Sequence, residues 1–322
     1  MTWHPDAAPA VLRVRADLLA RTRAFFAARN VLEVETPTLS RAAATDPRVE
    51  SLRTHVSGEG GRARYLHTSP EFPMKRLLAA SSGDIYQICR VFRDGEAGRR
   101  HNPEFTLLEW YRTGFDHHRL MDEVAELLAG LLQPFRPLAA PERFSYRDAM
   151  LKHAGVDPFT DAADRIRARI HEAGVVPPDS LGDDRSAWLD LLLSICVAPQ
   201  LGHGRAAFIY DFPPAQAALA RIRPEAQPVA ERFEVFVDGL ELANGFHELT
   251  DAEEQRARFD SDLAARERVG SSAAPVDEHL LAALAAGLPD CAGVALGFDR
   301  VVMLATGASH IREVLSFAFE NA

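Results

Sequence analysis

The chain has 322 residues, 47% hydrophobic and 25% charged, which is enough apolar material for a sizeable core and an ordinary balance for a globular protein. Lysine and arginine total 36 against 46 acidic residues, a formal net charge of −10 that argues against broad, non-specific attraction to nucleic acid. The widely separated Cys89, Cys196 and Cys291 suggest neither a disulfide framework nor a zinc site, and the start MTWHPDAAPA has no signal-peptide pattern, so a cytoplasmic protein without a membrane segment is expected.

The first predicted helix runs from about Val11 to Asn30, with Val11, Leu12, Leu18, Leu19, Phe25 and Phe26 at roughly helical spacing. The β-branched run VLEVETPTLS follows. After the glycine-rich SGEGG comes ARYLHTSPEF, a short strand opening into a helix at about Glu71 to Ala80, with Ser69 as candidate N-cap. From Cys89 to Arg112 the chain reads CRVFRDGEAGRRHNPEFTLLEWYR. Ile85 to Phe92 and Glu104 to Tyr111 read as an antiparallel hairpin, with Phe105, Leu107, Glu109 and Tyr111 on one face. Its connection carries Arg93, Arg99, Arg100 and His101. Guanidinium groups suit bidentate contact with phosphate oxygens, so this loop is either a solvated turn or a polyphosphate cradle. Glu109 and Tyr111 offer a carboxylate and a phenol to an ammonium group.

Residues 138–228 read as a mainly helical insertion with a strand near Ala207 to Tyr210, serving either as a spacer or in recognition. RFEVFV, the turn Asp238-Gly239 and LELANGF then predict a second hairpin. Glu241 and Glu248 would face opposite sides of an uninterrupted strand. A break or bulge at Asn244-Gly245 would let both meet one magnesium ion. Helices are predicted from Thr250 to Val269 and Asp277 to Ala286. The chain ends on GVALGFDRVVML and its tail. Gly293 and Gly297 allow a ligand close to the backbone, and Arg300 at a helix start opposes the dipole unless an anion or π surface compensates.

These segments resemble, in order, the three motifs of class II aminoacyl-tRNA synthetases of the lysyl type: the long helix and strand ending at Pro37, the arginine loop with RHNPEF and Glu-x-Tyr, and the glycine-rich strand running into a helix with Arg300. GLELANGFHELTDAEEQRARF, Gly239 to Phe259, is similar to the segment where that family supplies magnesium and amino-acid contacts. The resemblance implies one α+β catalytic domain over 1–322, a mainly antiparallel sheet flanked by helices, with motif 1 at about 11–40, motif 2 at about 85–112 and motif 3 at about 292–305. It also implies a homodimer through motif 1.

ATP and magnesium follow from the same resemblance. Arg93 would hold the α-phosphate and the substrate carboxylate, and His101 with Arg300 the outer phosphates, Arg300 also stacking on adenine. Asn102 and Phe105 would bind adenine, with Asp94, Gly95, Leu242 and Gly297 beside the nucleotide and Glu241 and Glu248 on magnesium. Ser69, Pro70, Glu71, Glu109, Tyr111, Asn244, Glu248 and Ala295 would line the pocket of a lysine-like substrate.

Lysyl-tRNA synthetases carry an OB-type anticodon-binding domain ahead of motif 1, whereas motif 1 here begins within the first dozen residues, so no anticodon-binding domain is expected. The shortened architecture is similar to a branch of the family that attaches β-lysine to a lysine side chain of elongation factor P. The alternatives are a truncated tRNA-charging enzyme and a catalytically silent paralogue, although a silent paralogue would be expected to have lost Arg93 or Arg300. There are two departures from the lysyl pattern. Gly95 stands where the family has an acidic residue, with Glu96 one position on, and Ala295 replaces the middle glycine of motif 3. The Ala295 methyl would reshape the pocket floor and favours β-lysine over α-lysine.

Overall fold

The structure, a computed structural model, describes residues 3–178, 181–268, 270–272 and 274–322. Helix α1 (Pro9–Ala27) begins with Pro9 in its first turn, where a missing N–H is harmless, and buries only Leu18, Thr22 and Phe26, one stripe at i, i+4, i+8. It starts before Val11 and ends before Asn30, whose φ of 56° belongs to the turn into β1 (Leu32–Glu33). Strands β2 (Leu39–Ser40), β3 (Arg53–Val56) and β4 (Arg62–Leu66) form a small separate sheet, from which the chain enters α2 (Glu71–Ala79).

The expected arginine-loop hairpin is present as β5 (Ile85–Phe92) and β6 (Glu104–Thr113), paired without a slip from Ile85↔Tyr111 to Phe92↔Glu104. Next come α3 (His117–Leu132), β7 (Ala139–Ser145), α4 (Tyr146–Ala154), α5 (Ala163–Glu172), α6 (Arg185–Leu192) and β8 (Arg205–Phe212). Short β9 (Ile222–Arg223) precedes the second hairpin, β10 (Val229–Val237) and β11 (Leu240–His247). Asp238 and Gly239, φ 50° and 69°, make its turn with both central residues left-handed, as a two-residue hairpin requires. Helices α7 (Ala252–Arg268) and α8 (Glu278–Gly287) lead to β12 (Cys291–Gly297) and α9 (Phe298–Thr306). The predicted last residue of α7, Val269, lies outside the described residues.

The main sheet runs β1-β5-β6-β12-β11-β10-β8-β7, with β9 on β10, so the motif 2 and motif 3 strands are central neighbours as expected. Only its two ends, β1 with β5 and β7 with β8, are parallel. One cluster of buried residues joins α1, α3 and α9 to the sheet through Phe26, Trp110, Leu127, Val294 and Val302. A second belongs to the insertion, where Tyr146, Met150, Ile166 and Trp188 pack with Ile209 and Phe236. The insertion is therefore partly sheet. β8 matches the strand expected at Ala207 to Tyr210, whereas edge strand β7, exposed or half-buried along its length, lacks the apolar alternation that would have revealed it. Among the described residues no helix is long and apolar enough to cross a membrane.

Candidate active site

Strand register builds the site. Glu109 on β6 stands opposite Ala295 on β12, Ala295 opposite Asn244 on β11, and Asn244 opposite Glu234 on β10. One row along, Tyr111, Gly293, Phe246 and Arg232 are matched in the same way. Opposed residues of neighbouring strands share a face, so these side chains form one surface. Register shifts between Val235 and Phe236 on β10, whose partners Ala243 and Glu241 are two apart, leaving Leu242 as the extra residue. This bulge turns Glu241 onto the same face as Asn244. A bulge was expected in β11, but at Asn244-Gly245, where pairing is in fact regular. Gly245 is needed for a different reason: a Cβ there would lie 2.4 Å from the Phe233 ring.

At one end of this surface lie the cationic groups of the motif 2 loop and α9. Arg300 donates through Nη1 to the Glu241 carbonyl at 2.6 Å, and its Nη2 lies 2.8 Å from His101 Nε2, so these three expected residues meet. Burial and the Arg300 charge push the His101 imidazole below its ordinary value, which favours a neutral ring in contact with the guanidinium. Asp299, buried between them and the core, accepts from the Thr106 N–H at 2.7 Å and pairs with Arg15 at 2.6 Å, tying α9 to β6 and α1. Arg93 lies 5.1 Å above the Phe105 ring and 3.5 Å from Glu96. Glu96 thus reaches the motif 2 arginine despite its shifted position, while Gly95, at φ 76°, makes the turn with Asp94 accepting from its N–H. A Cβ on Gly297 would meet Arg300 and Leu242 only at ordinary distances, 3.6 and 3.7 Å, so packing of the protein does not demand glycine there and the approach of a ligand can. The Asn102 amide donates to the Glu104 carbonyl and accepts from the Phe319 N–H, which leaves its second N–H and one oxygen lone pair for a contact to adenine.

At the other end the surface is anionic and enclosed. Glu71, Glu109, Tyr111 and Glu248 line a cavity of about 1670 Å³ that also reaches Arg93, Asn244 and Ala295. Glu109, 2% exposed, accepts from the Ser69 hydroxyl and the Tyr111 hydroxyl, both at 2.7 Å. Burial, with the Glu71 charge, raises its carboxyl to about 8. The Tyr111 phenol is pushed well up by burial and by Glu109, so it stays a donor. Ser69 is not the N-cap: Pro70 holds that position, and the Ser69 oxygen accepts from the Glu71 N–H at 3.0 Å while donating to Glu109.

Glu248 follows β11 and is 1% exposed. Its carboxylate is 2.6 Å from the ammonium of Lys75, itself 1% exposed and 2.7 Å from Glu71. Burial raises the Glu248 carboxyl to about 7, against the pull of Lys75. Lys75 is held protonated: burial alone would lower it, but the charges of Glu248 and Glu71 overcome this. Gly293 beneath is required by packing, because a Cβ would fall 2.3 Å from the Tyr111 ring and 2.5 Å from Glu248 Oε1. Glu241 and Glu248, expected to share one magnesium ion, are not brought together. They sit at opposite ends of β11, roughly 20 Å apart at ~3.3 Å per residue.

The carboxylate near Glu241 is Glu234, which sequence reading missed. It is 7% exposed and paired with Arg232 at 2.5 Å. Burial raises it to about 7 against the opposing pull of Arg232, and the Glu241 charge adds to the rise. The motif Glu-Val-Phe-Val-Asp-Gly-Leu-Glu, with its turn, was the available signal for two carboxylates on facing strands. Lys75 was missed too, although Glu71 and Lys75 are spaced i, i+4 on one helix. Among the described residues, the candidate metal cluster of three is elsewhere, at His117, Glu231 and His247. There Glu231 is already paired with Arg221 at 2.9 Å and Arg223 at 3.1 Å, which leaves little need for an added cation.

Comparison with known proteins agrees with this geometry. The family described as tRNA synthetases class II (D, K and N) matches residues 2–321. Proteins named elongation factor P--(R)-beta-lysine ligase are similar along the whole chain. That of Vibrio atlanticus is 50% identical, covering 100% of this chain and 99% of its own. That of Vibrio cholerae is 50% identical over 99% and 98%, and that of Edwardsiella ictaluri 48% identical over 100% and 98%.

Proposed function

Because the chain belongs to the class II tRNA synthetase family (D, K and N), we propose that it is an ATP-dependent ligase that activates (R)-β-lysine as an adenylate and transfers it to a lysine side chain of elongation factor P. The observation that carries this reading is the single sheet face with Arg93, His101 and Arg300 at one end and the enclosed Glu109, Tyr111 and Glu248 at the other. Polyphosphate suits the first, and a substrate bearing ammonium groups suits the second.

The chemistry needs no protein nucleophile. Arg93 orients the substrate carboxylate towards the α-phosphorus, one carboxylate oxygen forms the new P–O bond, and the bond to the β-phosphate breaks to release pyrophosphate. Arg93 neutralises charge developing on the α-phosphoryl oxygens, and Arg300 with His101 holds the departing phosphates. An uncharged lysine amine of elongation factor P then attacks the acyl carbon. The C–O bond to AMP breaks, an amide forms, and the amine loses a proton. Phe105 and Arg300 offer the two surfaces that sandwich adenine, with Asp94, Gly95, Leu242 and Gly297 along the nucleotide. Ser69, Pro70, Glu71, Asn244 and Ala295 complete the amino-acid pocket.

Glu241, an exposed hard oxygen donor, fits magnesium, and Glu234 on the facing strand would join it on giving up its pair with Arg232. Bound there, the ion would neutralise phosphate charge. We place the ligase in the cytoplasm, in keeping with its free cysteines, and infer a homodimer through the largely uncovered faces of α1.

Exchange of labelled pyrophosphate into ATP, with (R)-β-lysine, L-lysine or no amino acid, tests the first step, and transfer to purified elongation factor P tests the second. Exchange is expected to be strongest with (R)-β-lysine. Absence of exchange with any amino acid overturns the assignment.

A further inference from the structure

Lys75 sits on the buried side of α2 with Met74 and Leu78, behind the wall of the amino-acid pocket, and does not line the cavity. An ammonium in such a place is expensive to bury, and a well-packed apolar residue usually serves a fold as well or better. Its partners both belong to the pocket: Glu71 Oε1 at 2.7 Å, one helical turn back, and Glu248 Oε2 at 2.6 Å, across from another element. Glu248 depends on this contact. Among the described residues its Oε2 has the Lys75 ammonium as donor and its Oε1 has none, although Glu248 is 1% exposed and lies over Gly293 beside Tyr111. A buried carboxylate with unused acceptor capacity, facing a cavity, is suited to a donor arriving with a ligand.

We propose that Lys75 is a positioning and specificity-determining residue: its ammonium fixes Glu248 against the pocket and sets the charge of the pocket to match an amino acid carrying two ammonium groups. The inference rests on the ligase reading above. Once an arriving ammonium has ionised Glu109, the carboxylates of Glu71, Glu109 and Glu248 against the one ammonium of Lys75 leave a formal charge of −2. With the substrate carboxylate on Arg93, a diamino acid supplies the two balancing charges and a monoamino acid only one. Lys75 also holds Glu71 and Glu248 on one cation, so their mutual repulsion does not push Glu248 out of line with Tyr111.

The test compares Lys75→Met and Lys75→Arg with the unaltered protein in amino-acid-dependent pyrophosphate exchange, using (R)-β-lysine and the analogue lacking its distal amino group. The Met variant is expected to raise the amino-acid KM by about tenfold or more, with the ATP KM within about threefold, and to lower discrimination against the analogue by about tenfold. The Arg variant, keeping the charge, should retain more of that discrimination than the Met variant. If the Met variant does not fold, the charge-balanced double variant Glu71→Gln/Lys75→Met takes its place and is read against Glu71→Gln alone, over which it should raise the amino-acid KM further because Glu248 still lacks its cation. An unchanged amino-acid KM, or an equal rise in both KM values, overturns the inference. Failure of the unaltered protein to exchange with any amino acid would instead sink the ligase reading.

Discussion

The two ends of the candidate active site recognise charge by opposite means. At the nucleotide end Arg93, His101 and Arg300 stand on a loop and a helix start, partly or fully exposed; Arg300 is held by His101 and the Glu241 carbonyl, and Arg93 by Glu96 and the Phe105 ring. At the amino-acid end Glu109, Tyr111 and Glu248 are 2% exposed or less, fixed by Ser69, Lys75 and the absent side chain of Gly293. A triphosphate carries enough charge to be held by cations that water still reaches. A single ammonium group does not, and needs carboxylates taken out of water, where each interaction is stronger and each unpaired group costs more.

The largest effect expected from this contrast is at the nucleotide end. Arg93→Ala removes the cation proposed to meet both reacting groups and should lower amino-acid-dependent exchange by about 10² to 10³, the range seen when a charge-stabilising donor is lost. The fold should be little harmed, since the Arg93 side chain makes a 3.4 Å contact to the Thr68 carbonyl, a partly exposed pair with Glu96 and a contact 5.1 Å above the Phe105 ring. A comparable fall in melting temperature would show that the loop is structural and blur the distinction between the two ends.

At the enclosed end a single methyl should act. Gly293→Ala forces Tyr111 and Glu248 aside and is expected to reduce kcat/KM for the amino acid by about 10², leaving the ATP KM close to its original value, with a loss of about 1–3 kcal/mol of stability from overpacking. Ala295→Gly is the reverse change at the boundary, between Glu109 and Asn244. Removing that methyl should shift preference from β-lysine towards L-lysine by about tenfold, the scale of one methyl-sized difference in a pocket. Competition between the two amino acids in one reaction reads that ratio directly.

Those differences also explain what the sequence made legible. Arg93, His101 and Arg300 are charged residues at turns and helix starts, places where a local rule already finds them conspicuous, and the hairpins were visible from alternation and from Asp238-Gly239. The enclosed end depends on partners distant in sequence. Lys75 meets Glu248 across 173 positions (248 − 75), and nothing local to either residue announces the pair. The place of the bulge in β11 was likewise misjudged, because Asn244-Gly245 is the weaker-looking sequence. The glycine there answers instead to the Phe233 ring, a cross-strand neighbour that only the register reveals. Glu234 was passed over for the same reason: as one polar residue in RFEVFV it looks like an edge position, and its burial beside Arg232 comes from strands on both sides.

The smallest expected effect follows from protonation. In the folded protein burial holds the Glu109 carboxyl at about 8, whereas unfolded it has the ordinary value of 4.5. Between those values the folded chain keeps a proton that the unfolded chain has lost, so this group's contribution to stability is fully present below 4.5 and is lost as pH rises towards 8. An ammonium ligand favours the ionised carboxylate, so stabilisation by (R)-β-lysine should grow over the same range while the free protein weakens. Thermal melts from pH 5 to 8.5, with and without the amino acid, should therefore diverge upward in pH by a few degrees, roughly the shift produced by 1 kcal/mol in a chain of this size. Glu109→Gln cannot titrate and should flatten both trends, the free protein losing less stability and the ligand adding less. Stabilisation by ATP has its own pH response, from groups at the nucleotide end, and Glu109→Gln should leave it unaltered; if the variant flattens the ATP response as well, the titration does not belong to the enclosed end and the contrast between the two ends fails.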